Sequence, residues 1–193
     1  MRKVVLVVSA TAVLIVALPW SAHAFGVRSV WFALLVVWLP MTWLGTVSRV
    51  VTPRLPGWYH ELRPVERDGR RYELVGVRLF KQLLRRGPLA VFNPDLHLPR
   101  EPTPDGIAHL DQRMRDAEAS HAILLVLTFA VVAHAAVRGW WAAAGWTSLF
   151  DLLVNGYPVM LQRYNRALLH RRFDAPVGQA GERPFTSPRP DVR

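Results

Sequence analysis

Uncharged residues come in blocks along this chain. Val4 to Leu18, Val30 to Val47 and Ala122 to Val137 contain no charged residue, and Gly139 to Leu161 contains only Asp151. A bilayer-crossing helix needs roughly 20 mostly apolar residues, with a range of about 17 to 25. The second and fourth blocks have that length, and the third reaches it with a helical turn added on either side. One such block fits a soluble core helix; four in 193 residues predict an all-α membrane protein. The first block has two readings. Arg2-Lys3, the apolar run and Ala22-His23-Ala24 also make the pattern of a secretory signal peptide. Residues 1–24 are therefore a signal peptide or a first transmembrane helix. Residues 25–47, 121–137 and 139–162 are the other spans, for a total of three or four transmembrane helices.

Between the spans lies a loop, residues 48–104, too small and proline-rich for a deep core of its own. Thr52-Pro53-Arg54-Leu55-Pro56-Gly57 breaks away from the second span. Arg71 to Phe80 alternates loosely and fits a short strand or a surface helix. Gly87-Pro88, Asn93-Pro94 and the prolines from Pro99 to Pro104 are further breaks. Asp105 then has the position of a helix N-cap. Ile107, Leu110, Met114 and Ala117 recur at helical spacing among charged neighbours. Residues 105–120 are thus predicted to be an amphipathic helix on the membrane surface, turning inward as the third span. Residues 163–193 form a basic tail, predicted to be disordered from about 174.

Charge orients this arrangement. The chain has 24 Lys+Arg against 14 Asp+Glu, a net charge of +10. Thirteen of the basic residues fall between Ser48 and Ser120 and seven lie from Arg163 onward, while the opposite side carries only Arg28 and Arg138. Basic residues mark the cytoplasmic side. The loop and tail are therefore expected in the cytoplasm and the protein in the cell membrane, with membrane lipid rather than nucleic acid as the partner of its basic surface. No nucleic-acid-binding module is present. The absence of Cys excludes a disulfide framework, a thiolate metal site and a Cys nucleophile. No nucleophile elbow, P-loop or dinucleotide fingerprint occurs, the histidines show no zinc-ligand spacing, and a second Glu-x-x-His for a di-iron site is missing, so no metal or cofactor is expected.

Two polar groups stand at the inner ends of the spans. Glu118 and His121 share one helical face and lie on the apolar stripe where it enters the membrane. A carboxylate and an imidazole there are costly unless paired or used. They fit either an interfacial ion pair anchoring the helix end or a Glu-oriented His acting as general base. The second group follows Asn155 and the helix-kinking Pro158: Gln162, Arg163, Asn165 and Arg166. Snorkelling anchors account for the arginines but not for the amides. The sharper reading is a phosphate or carbonyl cradle.

The order of these residues resembles a known family. Arg115-x-x-Glu118-x-x-His121 entering one span, and Asn155-x-x-Pro158-x-x-x-Gln162-Arg163-Tyr164-Asn165-Arg166 closing the next, are similar to the glycosyl-4,4'-diaponeurosporenoate acyltransferases of the staphyloxanthin-type carotenoid pathway. Phe80-Lys81 resembles that family's aromatic-Lys element and brings Lys81 in as a substrate-binding candidate. The resemblance implies transfer of a fatty acyl group from a thioester, acyl-CoA or acyl carrier protein, to a sugar hydroxyl of a glycolipid or carotenoid glycosyl ester. On that reading His121 takes the hydroxyl proton and Glu118 orients it. Arg163 and Arg166 hold the donor's phosphates or carrier, and Gln162 or Asn165 donates to the carbonyl oxygen, with Asn155 alongside. The rival is a non-catalytic membrane scaffold or lipid-binding protein. An enzyme requires the two polar groups to meet at one cleft with apolar walls.

Overall fold

The computed structural model describes residues 1–86 and 103–173. All regular elements among them are helices: α1 (Arg2–Phe25), α2 (Val30–Val47), α3 (Gly57–His60), α4 (Arg70–Leu74), α5 (Val77–Arg86), α6 (Pro104–Val137), α7 (Trp141–Asp151) and α8 (Tyr157–Phe173). A 3₁₀ turn, Pro64–Glu66, precedes α4, and a π-helical turn, Leu152–Gly156, joins α7 to α8. α1, α2 and α6 are each long and apolar enough to cross a membrane, which makes this a helical membrane protein.

α1 and α2 form a hairpin. Gly26 ends α1 with φ 77°, a left-handed conformation suited to glycine, and Ser29 Oγ caps α2 by accepting from the Phe32 N–H at 3.1 Å. Apolar helices in lipid must satisfy their few polar groups internally. Accordingly Trp43 Nε1 donates to Thr11 Oγ1 across the hairpin at 3.0 Å, and Thr11 returns a bond to the Val7 carbonyl at 2.8 Å. α2 packs on α6 and α7, and α6 packs on α7 and α8.

Residues 105–120 and 121–137, read from the sequence as a surface helix and a span, are one unbroken helix of 34 residues. At 1.5 Å per residue it is about 50 Å long. No Gly or Pro interrupts it between Ile107 and Val137, and Gly139, with φ 70°, marks its end. Its start is capped by Thr103, whose hydroxyl accepts from the Gly106 N–H at 3.1 Å, and not by Asp105, which sits in the first turn. The stripe expected to face lipid faces α8 instead: Leu110 and Met114 are buried against Leu169, with Ile107 and Phe173 at the margin.

The fourth apolar block is helical from Trp141 onward but changes register within it. Pro158 offers no N–H, and the helix shifts to a wider turn just before it, the Tyr157 N–H reaching back to the Leu152 carbonyl. In the connecting region, Arg71 to Phe80 is helical, split between α4 and α5. Tyr72 and Val77 bury against Leu161 and Tyr164 of α8, with the Phe80 and Tyr157 rings in tilted contact beside them. The short helices α4 and α5 thus form a cap on α8. The expected breaks at 87–100 and the tail from 174 lie outside the described residues.

Candidate active site

The two polar groups meet, through pairings the sequence did not predict. Glu118 is fully buried. Its Oε1 accepts from Arg163 Nη1 at 2.7 Å and its Oε2 from Arg166 Nη1 at 2.9 Å. One carboxylate on α6 therefore joins two arginines three residues apart on α8. Asp111, two turns earlier on the same face of α6, completes the pattern by accepting from Arg166 Nε at 3.0 Å and Arg115 Nε at 2.6 Å. His170 Nε2 stands 3.1 Å from the same Asp111 Oδ1. The expected pairing of Glu118 with His121 is replaced, because the arginines occupy both carboxylate oxygens.

Those arginines also fasten the segment after α2. Arg163 donates to the carbonyls of Tyr59 (2.9 Å) and Glu61 (3.0 Å), and Arg166 Nη2 donates to that of His60 (2.8 Å). Arg163 further grips Glu66 Oε2 at 3.0 Å, and the Tyr72 hydroxyl donates to Glu66 Oε1 at 2.6 Å. Burial raises the Glu66 carboxyl, but bonds from Arg163, Tyr72 and the Arg63 N–H outweigh it and hold the pKa at about 2. Burial and then the Glu66 carboxylate push the Tyr72 phenol well above its ordinary range. The expected phosphate cradle at Arg163 and Arg166 is thus filled by the protein's own carboxylates and carbonyls. His60 closes the group from the side, its Nδ1 buried without a hydrogen bond and 3.5 Å from Glu118 Oε2.

One turn further along α6, His121 meets Asn155 of the π turn, with Nδ1 and Oδ1 3.1 Å apart. Asn155 Nδ2 donates to Asp151 Oδ1 at 2.8 Å, and Thr128 also bonds Asp151. The acid end of this chain sets its polarity. With Asp151 ionised, the amide gives its N–H to that carboxylate and presents its oxygen to His121, so Nδ1 donates and Nε2 of the neutral ring keeps its lone pair. Asp151, Asn155 and His121 form an oriented relay that leaves Nε2 fit to accept a proton. Asp151 and Asn155, four residues apart, share the side of this helix that faces α6.

His121 lines a cleft of about 320 Å³ between the C-terminal end of α2 and α6. Met41, Leu44 and Leu124 give apolar walls; Ser48, Thr52 and Ser120 give hydroxyls; Arg113 and Asp116 stand on its α6 side. Glu118 is not part of it. Arg166 lines a different cleft, with His60, Arg115 and Arg171. The other predicted site residues line neither of these two clefts, so the single cleft expected to unite the two polar groups does not form: Glu118 and the arginines are spent on each other, and His121 alone of the predicted site residues faces the apolar-walled cleft. Lys81 Nζ donates to Asn165 Oδ1 at 2.7 Å and sits 5.4 Å over the Tyr164 ring, which ties α5 to α8. Gln162 is buried, with its Oε1 unpartnered. Sequence reading missed Asp151, Asp111, Glu66 and His60. Asp151 carried a usable signal, as the lone charge in an apolar block, four residues before Asn155. Among the described residues no group of three or more His, Asp or Glu is placed to hold a metal ion.

Comparison with known proteins adds one finding. A family model described as glycosyl-4,4'-diaponeurosporenoate acyltransferase matches residues 56–175, more than half of the chain, from α3 through α8. No curated protein and no solved structure matches. The matched region contains the Glu118 lattice and the His121 relay, and ends short of the α2 wall of the cleft.

Two predictions follow from the lattice. Glu118→Gln leaves Arg163 and Arg166 without their shared carboxylate and should cost roughly 3–5 kcal/mol in denaturant or thermal unfolding in detergent; a cost within error of zero contradicts a clamp role. Glu66 adds an acid-sensitive part. Its folded pKa lies below the ordinary 4.5, so its contribution is complete above that value and is lost as pH falls toward about 2. Glu66→Gln should flatten the fall of the melting temperature across that window, and an unchanged slope removes the carboxylate from the account.

Proposed function

The chain belongs to the glycosyl-4,4'-diaponeurosporenoate acyltransferase family and is an acyltransferase, and on that premise we propose that His121 is its general base. The substrates we propose are an acyl thioester, acyl-CoA or acyl carrier protein, and a sugar hydroxyl of a membrane-held glycolipid such as a carotenoid glycosyl ester. The observation that carries this reading is the relay Asp151–Asn155–His121, which ends in a cleft lined by both apolar side chains and hydroxyls.

The steps balance as follows. His121 Nε2 accepts the proton of the sugar hydroxyl while its oxygen attacks the thioester carbonyl. The tetrahedral intermediate collapses, breaking the C–S bond, and the departing thiolate takes the proton back from the imidazolium. A new C–O ester bond and a free thiol result. Throughout, Asn155 keeps the ring oriented and Asp151 keeps Asn155 oriented. The relay thus does for His121 what Glu118 was expected to do. Arg113, on the α6 side of the same cleft, supplies positive charge for the donor's phosphates or the developing oxyanion. Glu118, Arg163 and Arg166 act at a distance by holding α6, α8 and the 59–61 segment in register. No cofactor is needed beyond the thioester donor.

The asymmetry of basic residues supports a cytoplasmic position for α3–α5 and the end of α8, with the protein in the cell membrane. Acyl thioesters are made there, and a lipid-linked acceptor reaches the cleft along the apolar face of α2.

General-base assistance contributes about 10²–10⁴ in rate. His121→Ala, assayed in isolated membranes with acyl-CoA and a glycosylated carotenoid acid, should lose turnover by that factor while the inserted protein keeps its melting temperature. Retention of most of the acyl transfer removes His121 from the mechanism.

A further inference from the structure

The cleft lined by Arg166 carries an inference independent of acyl transfer. It measures about 670 Å³ and lies between α8, the start of α6 and the segment that follows α3. At 100° per residue, Arg115 on its wall points roughly 140–180° away from Arg113, Ala117, Ser120 and Leu124, so this cleft opens on the opposite side of α6 from the His121 cleft. Its charge is one-sided: Arg67, Arg115, Arg166 and Arg171 face a single lining carboxylate, Glu61.

These arginines differ in what they still offer. Arg166 is consumed by Asp111, Glu118 and the His60 carbonyl. Arg115 uses Nε on Asp111, and its Nη groups make no bond to a described residue. Arg67 and Arg171 are exposed and have no ion-pair partner among the described residues. His60, only 6% exposed, lines the same cleft. Open guanidinium groups therefore converge from three separate elements onto one concavity whose floor is already neutralised. Arg forks match phosphate oxygens in geometry as well as charge, and arrival from several directions suits a tetrahedral anion better than a planar carboxylate. The volume exceeds that of one phosphate.

We propose that this cleft binds a phosphate-bearing anion through Arg67, Arg115 and Arg171. The same chemistry is carried by an anionic phospholipid headgroup and by a soluble diphosphate. The full chain, purified in a neutral maltoside detergent, is titrated with inorganic diphosphate by calorimetry. In parallel it is examined by native mass spectrometry in mixed micelles of phosphatidylglycerol or phosphatidylcholine. Arg67→Gln/Arg171→Gln tests the cleft, and Arg49→Gln/Arg70→Gln removes the same charge at exposed positions elsewhere. Saturable binding of diphosphate, selective retention of phosphatidylglycerol, or both, weakened at least about tenfold in the first variant and unchanged in the second, supports the site and identifies its source. Absence of binding to both probes, or equal weakening in both variants, overturns it.

Discussion

A single carboxylate with no exposure to water sets the geometry of this protein. Glu118 holds Arg163 and Arg166 of α8 against α6, at 2.7 and 2.9 Å. Burying such a set is expensive, because the charges give up hydration that only near-complete mutual bonding replaces. That bonding is supplied here by Asp111, Glu66 and the three consecutive carbonyls of Tyr59, His60 and Glu61. The lattice therefore ties together α6, α8 and the chain that leaves α2. Because α6 is unbroken, fixing Glu118 also fixes His121 one turn along, opposite the π turn that presents Asn155.

Division of labour between these neighbours explains the spacing of the polar groups. Glu118 and His121 share a helix face, yet one is spent on structure and the other is left to a cleft. The deciding fact is competition for the carboxylate: guanidinium groups offer charge-assisted bonds to both oxygens, which an imidazole on the same helix cannot match. His121 instead takes a neutral partner whose own orientation is set by Asp151. Such an arrangement suits a base that must hold and release a proton, since a neutral amide fixes the ring without trapping its charge.

Much of this was legible in the sequence, at a particular level. Helical class, apolar spans and the two polar groups follow from block lengths and from the cost of charge in lipid. The identity of the polar residues was readable for the same reason, because Glu118, His121, Asn155, Arg163 and Arg166 stand where bland anchoring does not need them. Their pairing was not. Spacing suggested Glu118 with His121, while the contacts that win join residues 45 and 34 positions apart. The partner of the amphipathic stripe at 105–120 was not legible, because such a stripe looks the same whether it faces lipid or, as Leu110 and Met114 do, α8. Asp151 was passed over as an isolated charge, although its spacing of four from Asn155 already put the two on one helical face.

A general-base role for His121 depends on the protonation pattern of its ring. Nitrogen-15 spectra of histidine-labelled chain in micelles, with the His121 signals assigned by their loss in His121→Gln, read that pattern directly. The relay predicts a proton on Nδ1 and an unprotonated Nε2 at neutral pH. A proton on Nε2, or on both nitrogens as in an imidazolium paired with a carboxylate, would contradict it.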